Sequence, residues 1–370
     1  MSRIGLPKFE GLNVSSKYGI CGLPIRVDSY KTCSFGCRYC FANGRKIMEF
    51  DKELQVADVA SIERRLERVI KRHDFQRDNF LNSLIFGGVT WHFGGMSDPF
   101  QPCNRELRIT NQIIDVANKY GITMLFSTKS DALHDANVRP DLHTFQMSVS
   151  NINDRKDIEP NVPDIQSRIN LFRFLKKQGF RVGIRIQPFI PGISTLDIVK
   201  VFGDADHFII EGLKVIPQDG EQKDYCFGEL GQDHKHYTQK GLLNLKPELR
   251  MKFYKPFVEY FENNGLSYSI SDNDLRWMGN NRCCCGDALV TKSSGFDTTA
   301  LCMKYGKCWS LQDALESVGE YRQCKANELV ASNRVRGCST VEDFYRKRYR
   351  QPTSPMSPLF QHHPYPSLFD

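Results

Sequence analysis

The stretch "LPIRVDSYKTCSFGCRYCF", residues 23–41, passes from a strand pattern directly into three closely spaced cysteines. Leu23, Ile25 and Val27 alternate with other residues, and this period of two predicts a β-strand with one apolar face. The cysteines then follow with the spacing C-x3-C-x2-C. The pattern predicts a cysteine-bearing loop that begins where this strand ends.

Cys33, Cys37 and Cys40 are the candidate metal ligands of this loop. Thiolates bind both zinc and iron–sulfur clusters, and most of these sites use four protein ligands. A zinc site would need a fourth ligand from elsewhere in the chain. A 4Fe–4S cluster held by three thiolates would leave one iron open to a small molecule. The residues alone leave both interpretations open.

The composition of the 370-residue chain is that of a globular enzyme, with 40% hydrophobic and 25% charged residues. No run approaches the roughly 18 apolar residues of a membrane span, and no apolar leader follows "MSRIGLPKFE", so we expect a cytoplasmic protein without a membrane partner. The 13 cysteines are unevenly placed, which favours metal or catalytic roles over a disulfide scaffold. The formal net charge of +7 suits a polyanionic partner such as nucleic acid.

Strand and helix patterns alternate along the middle of the chain. The segments "VTWHFGG", "ITMLFSTKS", "HTFQMSVS", "RVGIRIQPFIPG" and "HFIIEGLKVI" are typical of strands. Between them, "NRELRITNQIIDVANKYG" and "DIQSRINLFRFLKKQG" have helical spacing, with Asp164 as an N-cap and Gly121 and Gly179 as stops. The alternation predicts parallel strands joined by crossover helices, in an open sheet or in a full or partial barrel.

Two of these strands have one polar face. In residues 145–150 and 181–187, apolar side chains alternate with Gln146, Ser148, Ser150, Arg181, Arg185 and Gln187. Strands that are buried on both faces should be apolar throughout. The pattern therefore predicts a wet, ligand-lined lumen, with an edge strand facing solvent as the alternative.

The C-terminal part contains a second group of cysteines. After Pro217 the sequence is polar and Gly-rich, and it then shows a helix and the short strand pattern "LSYSIS". Cys284, Cys285, Cys302 and Cys308 are candidate ligands of a second iron–sulfur cluster or a zinc ion, with buried free thiols as the alternative. We divide the chain into an N-terminal segment (1–22), a core (23–217), an insertion with the end of the barrel (218–280), a Cys-rich region (281–345) and a disordered tail (346–370).

Several motifs in one order resemble the spore photoproduct lyase-like branch of the radical S-adenosylmethionine (SAM) superfamily, over about residues 23–217. The matching pieces are "VDSYKTCSFGCRYCFAN", "FGGMSDPFQPCNRELRIT", "STKSDAL", "SVSN", "IEPNVPDIQSRINLFRFLKKQGF" and "IRIQPFIPGI". The resemblance implies a partial (β/α)6 TIM-like barrel with a Cys-rich C-terminal extension. It also implies a 4Fe–4S cluster on Cys33, Cys37 and Cys40, whose open iron chelates SAM.

The same resemblance implies which residues meet SAM. The Gly-rich turn "GGMSDP" would approach its amino group, Lys129 would meet its carboxylate, and Gln187 would reach the ribose or the substrate. The complete predicted set is Tyr39, Gly94, Gly95, Ser97, Asp98, Lys129, Ser150 and Gln187. A solvated loop lysine is the alternative for Lys129, and Glu159 and Arg168 are predicted to be a structural pair.

One departure from the family limits what the resemblance implies. Spore photoproduct lyase carries a hydrogen-donor cysteine on the glycine turn, and the matching position here is Gly95. The predicted function is hydrogen abstraction from a nucleobase or nucleic acid by a 5'-deoxyadenosyl radical, with a reductase, flavodoxin or ferredoxin as electron donor. The alternatives are a peptide- or protein-modifying radical SAM enzyme with an auxiliary cluster and a zinc-stabilised nucleic-acid-binding module without catalysis.

Overall fold

The structure is a computed structural model that describes residues 5–15, 21–42, 54–272, 274–281, 283–294, 311–325 and 337–349. In chain order, the strands in these ranges are β1 (Lys8–Phe9), β2 (Leu12–Val14), β3 (Ile25–Val27), β4 (Val56–Ala57), β5 (Trp91–Phe93), β6 (Met124–Thr128), β7 (His143–Ser148), β8 (Val182–Phe189), β9 (His207–Gly212), β10 (Lys214–Val215), β11 (Tyr237–Lys240), β12 (Leu242–Leu245) and β13 (Tyr268–Ile270). The α-helices are α1 (Val59–Leu66), α2 (Phe80–Phe86), α3 (Asn104–Leu107), α4 (Ile109–Lys119), α5 (Ile165–Lys177), α6 (Asp197–Val201), α7 (Gly220–Asp224), α8 (Pro247–Asn263), α9 (Leu311–Val318) and α10 (Val341–Tyr349).

The main sheet has the strand order β13-β9-β8-β7-β6-β5-β3-β2. Seven of its strands are parallel and follow one another in space as they do in the chain, and β2 pairs antiparallel with β3 at one edge. Because the parallel strands are joined by crossovers, all their carboxyl ends lie on the same side of the sheet. This architecture confirms the predicted α/β fold of the partial-barrel type.

The apolar face of the sheet packs against the helices and forms the main core. Phe126 and Phe145 lie on neighbouring strands and stack with ring centroids 5.3 Å apart. Helix α5 begins as predicted, since the Asp164 side chain accepts a hydrogen bond from the Ser167 backbone N–H at 2.7 Å. The two polar strand faces point to the opposite side, which is the inner face of the barrel.

The segment 104–121 forms two helices where the sequence predicted one. Arg108 has a φ of 54° and therefore interrupts the helix between α3 and α4. The Tyr30 hydroxyl, which is buried, donates to Asn104 Oδ1 at 2.6 Å and accepts from the Ile109 backbone N–H at 3.3 Å. The break thus places the first residues of α3 and α4 against Tyr30, which lies three residues after the end of β3.

The predicted insertion contains regular structure. Strands β10, β12 and β11 form a small antiparallel sheet, and α7 continues into a π-helix at Tyr225–Glu229. Helix α10 continues through Tyr349, past residue 346 where the predicted tail begins, and 350–370 lie outside the described residues. Within the part of the chain that the structure describes, no helix is long and apolar enough to cross a membrane.

Candidate functional site

The cysteine loop follows β3 and is held by side chains from two other parts of the chain. Gln101 Oε1 accepts from the Ser34 backbone N–H at 2.7 Å, and Gln101 Nε2 donates to the Thr32 carbonyl at 2.8 Å. From the opposite side, Asn161 Nδ2 donates to the Ser34 carbonyl at 2.9 Å. Neither Gln101 nor Asn161 was predicted to hold the loop, because both lie inside the quoted motifs but follow no spacing pattern that would indicate a role.

The thiols of Cys33, Cys37 and Cys40 lie near one another at the carboxyl end of the sheet. Cys37 is buried, and the other two are partly exposed. Burial raises the pKa of Cys33 to about 12 and that of Cys37 well above its usual value, and the neighbouring thiolates add to both effects. Three clustered thiols fit a cationic metal cluster, which binds thiolates and displaces their protons. Within the described ranges, no three His, Cys, Asp or Glu side chains are close enough to ligate a single metal ion.

The insertion packs directly on the cysteine loop. Arg38 forms two hydrogen bonds to Glu229, at 2.5 and 2.6 Å, and its guanidinium lies 4.0 Å from the ring centroid of Tyr225. Gln222 Nε2 donates to the Tyr39 carbonyl at 2.7 Å. A second apolar core therefore joins residues of the loop to residues of the insertion.

The glycine turn after β5 is fixed against the end of β3. Gly94 has a φ of +92°, and a Cβ there would lie 2.5 Å from the Ser127 carbonyl oxygen, so only glycine fits. Asp28 Oδ1 accepts from the backbone N–H groups of Met96 and Ser97 at 2.9 and 3.2 Å. Burial raises the pKa of Asp28 to about 6, although these hydrogen bonds oppose the shift. The role of Asp28 was not predicted, and its only signal in the sequence is a carboxylate directly after the strand pattern at 23–27.

Asp98 joins the glycine turn to the end of β6. Its carboxylate accepts from the Phe100 N–H at 2.9 Å, the Thr128 hydroxyl at 2.8 Å and the Lys129 N–H at 2.6 Å. Three of roughly four acceptor positions are thus used within the chain. The predicted contact of Asp98 with the amino group of SAM stays a prediction.

Tyr39, Lys129, Ser150 and Glu159 form a hydrogen-bonded group, here called the rim cluster, at the carboxyl ends of β6 and β7. Glu159 Oε1 accepts from Lys129 Nζ at 2.7 Å, from Ser150 Oγ at 2.8 Å and from the Tyr39 hydroxyl. Burial opposes ionisation of Glu159, but Lys129 and Arg168 outweigh it and lower its pKa to about 2. Lys129 is therefore not a solvated loop lysine, and three of the predicted SAM-binding residues meet at one carboxylate.

Beside the rim cluster, the polar faces of β7 and β8 are joined as the sequence pattern predicted. Gln146 Oε1 accepts from Arg185 Nη1 at 3.1 Å and from Ser127 Oγ at 3.3 Å. Arg185 also pairs with Glu211 at 3.0 Å and donates to the Gln187 side chain. Gln187 is thus on the inner face, and its predicted contact with ribose or substrate stays a prediction.

Much of the inner face is covered by residues 283–294, which corrects the prediction of a wet lumen. Gln146 Nε2 donates to the Cys285 carbonyl at 3.2 Å, and Thr144 Oγ1 donates to the Leu289 carbonyl at 2.7 Å. Ser269 Oγ donates to the Cys284 carbonyl at 2.9 Å. The inner-face side chains that remain partly exposed near the carboxyl ends of the strands include Ser127, Lys129, Ser148, Arg185, Gln187 and Lys214.

Cys283, Cys284 and Cys285 form a group of thiols in this segment. Their side chains hydrogen-bond to one another, and those hydrogen bonds, with Arg276 and Arg185 nearby, lower the pKa of Cys284 well below its usual value. Cys284 is partly exposed and its two neighbours are buried. Cys302 and Cys308, the other predicted ligands, lie outside the described residues, so the predicted second metal site stays a prediction.

A groove of about 600 Å³ lies elsewhere, lined by residues that include Arg105, Arg108, Leu133 and Phe174. None of the predicted ligand-binding residues lines it. The candidate site is therefore defined by the thiols, the glycine turn and the rim cluster, which meet at the carboxyl end of the sheet.

No protein-family model matches the chain. The chain is 23% identical over 212 residues to the uncharacterized protein MJ0683 of Methanocaldococcus jannaschii, which covers 56% of this chain and 75% of that protein. It is 21% identical over 220 residues to the uncharacterized protein Rv2578c of Mycobacterium tuberculosis, which covers 52% of this chain and 63% of that protein.

Solved structures with a similar fold include those of spore photoproduct lyase. Spore photoproduct lyase complexed with dinucleoside spore photoproduct gives a TM-score of 0.53 at 12% identity, covering 72% of this chain and 80% of that chain. A variant of this lyase with bound AdoMet and dinucleoside spore photoproduct gives a TM-score of 0.51 at 12% identity, covering 70% and 80%. The chain therefore shares the fold of spore photoproduct lyase.

Proposed function

We propose that this chain is a radical SAM enzyme that abstracts a hydrogen atom from a nucleobase or nucleic acid. The observation that carries the proposal is the meeting of three thiols, a glycine turn and the Lys129 ammonium at the carboxyl end of one parallel sheet. In barrels of parallel strands, this end is where active sites lie. When bound, a 4Fe–4S cluster supplies the electron that cleaves SAM and yields the 5'-deoxyadenosyl radical.

The residues of the chain have separate tasks in this proposal. Cys33, Cys37 and Cys40 hold the cluster as thiolates. The turn at Gly94–Ser97, held by Asp28, offers backbone groups to the amino group of SAM, and Lys129 and Ser150 meet its carboxylate. An external one-electron donor, a reductase, flavodoxin or ferredoxin, completes the system.

The proposed substrate class, a nucleobase or nucleic acid, has its own support and its own test. Its support is the fold shared with a lyase whose structure holds a dinucleoside spore photoproduct, together with the net charge of +7. The test is SAM cleavage by anaerobically reconstituted protein, measured as 5'-deoxyadenosine with and without DNA, RNA or nucleosides. Deuterium transfer from a labelled substrate into 5'-deoxyadenosine would support the substrate class. No increase with any of them would exclude it.

The test of the cluster site is the removal of its ligands one at a time. Cys33→Ala, Cys37→Ala and Cys40→Ala should each lose the roughly four irons per chain and the formation of 5'-deoxyadenosine, because each thiolate would be one of the three protein ligands that hold the cluster. Cys226→Ala, a buried thiol of the insertion, is the matched control and should keep both. Cleavage that persists in all three loop variants would refute the proposal, and bound zinc without sulfide would favour the zinc-stabilised module.

A peptide- or protein-modifying radical SAM enzyme is the second candidate. It is favoured by the mutual contact of Cys283, Cys284 and Cys285 beside the inner face, where an auxiliary cluster would have thiol ligands. Reconstituted protein should then hold about eight irons per chain. An iron content that does not fall when Cys284 and Cys285 are replaced by Ser would exclude this candidate.

A further inference from the structure

In the rim cluster, the Glu159 carboxylate already forms an ion pair with Lys129, the residue proposed to bind the carboxylate of SAM. The Lys129 ammonium lies 2.7 Å from Glu159 Oε1, and the two side chains are 13% and 6% exposed. Water therefore screens this ion pair weakly, and separating it would leave a buried charge uncompensated. A ligand that binds to Lys129 or to Glu159 therefore disturbs this ion pair.

All the hydrogen-bond donors of Lys129 are in use. A lysine ammonium has three N–H groups. Here they are directed to Glu159, to the Ser150 hydroxyl at 3.2 Å and to the Ser148 carbonyl oxygen at 3.5 Å. A ligand carboxylate can reach Lys129 only if it replaces one of these partners, and it brings a negative charge close to Glu159 when it does so.

We propose that Glu159 competes with the carboxylate of SAM for the Lys129 ammonium and thereby limits how tightly SAM and its methionine fragment are held. This inference rests on the proposed function, because SAM is the carboxylate ligand of that proposal. Glu159 is a positioning residue here, since it acts through Lys129 and does not itself touch the ligand. Tight binding of a group that the reaction leaves unchanged would not speed the chemical step and would retain methionine as product.

The neutral variant Glu159→Gln separates the charge of Glu159 from its shape. Its amide oxygen can still accept from Tyr39 and Ser150, but it no longer neutralises Lys129. In the free variant the Lys129 ammonium lacks its carboxylate partner at 2.7 Å, and a ligand carboxylate can take that place when it binds. We therefore expect SAM to bind about tenfold more tightly, the size of one charge-assisted hydrogen bond.

The experiment compares two ligands on the cluster-loaded protein. Dissociation constants are measured for SAM and for decarboxylated SAM, which lacks the carboxylate, with wild type, Glu159→Gln, Lys129→Met and the double variant. Glu159→Gln should tighten SAM binding and leave decarboxylated SAM unchanged. In the Lys129→Met background, the same substitution should change neither constant.

Glu211→Gln is the matched control, because Glu211 is 5% exposed and pairs with Arg185 rather than with Lys129. It should leave the ratio of the two dissociation constants unchanged. Glu159→Asp withdraws the carboxylate by one methylene group and should give a ratio between those of wild type and Glu159→Gln.

The results of these binding measurements distinguish a failure of the Glu159 competition from a failure of the proposed function. A ratio that stays at the wild-type value in Glu159→Gln and Glu159→Asp, or that changes equally in the Lys129→Met background, would overturn the competition. Failure of both Glu159 variants to load iron would also overturn it, because Glu159 would then be a folding residue. Wild-type protein that binds iron but not SAM would instead refute the proposed function.

Discussion

Gly94→Ala and Gly95→Ala should differ strongly in their effect on stability, although nothing in the sequence distinguishes these adjacent glycines. A Cβ at Gly94 would lie 2.5 Å from the Ser127 carbonyl oxygen and 2.8 Å from Pro99 Cδ, and the φ of +92° is strained for any L side chain. A Cβ at Gly95 would meet nothing closer than Arg26 Cδ at 3.6 Å, which is an ordinary contact. The same substitution should therefore destabilise the protein at Gly94 and have almost no effect at Gly95.

The magnitude follows from these contacts. A strained φ costs about 1–3 kcal/mol, and a close contact in a packed site costs about as much again, so Gly94→Ala should lower the free energy of unfolding by about 2–6 kcal/mol. Gly95→Ala should change it by less than about 0.5 kcal/mol. Because domains are stable by about 5–15 kcal/mol, the first variant should still fold but unfold at clearly lower urea concentration.

The assay is urea unfolding of both variants and the wild type, followed by circular dichroism, together with SAM affinity of the reconstituted proteins. Gly95→Cys should behave as Gly95→Ala does, because the position is open and exposed. Packing therefore does not exclude a thiol at the position where the lyase family has one. Equal losses of stability in Gly94→Ala and Gly95→Ala would refute the reasoning from Cβ contacts and φ.

Two further predictions concern the supports of the site. Burial raises the pKa of Asp28 from 3.8 to about 6, so its contribution to stability is complete below pH 3.8 and is lost as the pH rises through about 6, a change of about 3 kcal/mol. Burial lowers the pKa of His143 and His207, and both therefore raise stability over the same pH range. The test is thus the difference in free energy of unfolding between wild type and Asp28→Asn, which should fall from pH 4 to pH 7. A difference that does not change with pH would contradict the assignment. Arg38→Ala should change the free energy of unfolding very little, because the Arg38–Glu229 pair is largely exposed and water screens it. It should nevertheless speed proteolysis of the insertion, and Arg155→Ala, which breaks a similar exposed pair with Asp157, should not.

The local features of the fold could be predicted from the sequence because they depend on neighbours in the chain. Alternating side chains predicted the inner and outer faces of β7 and β8, and Asp164 predicted the start of α5. The break at Arg108 was not predicted, because it depends on hydrogen bonds from Tyr30, far away in the chain.

The residues of the rim cluster also divide into those that local motifs could place and one whose role depends on the fold. Lys129 and Ser150 could be placed at strand ends from their motifs, and the structure brings them together with Tyr39. The role of Glu159 could not be predicted from its own segment. Its three donors come from three separate parts of the chain, and only the folded sheet brings them to one oxygen atom.

The sequence by itself determined the strand and helix pattern, the cysteine loop and the motifs that carry the resemblance. All of these depend on spacings of a few residues, which backbone geometry converts directly into faces, caps and turns. The tertiary structure decided that Asp28 fixes the glycine turn, that Glu159 holds Lys129 and that residues 283–294 cover much of the inner face. These contacts join distant segments of the chain, 145 residues apart in one case, and no local period specifies which buried polar group will meet which partner.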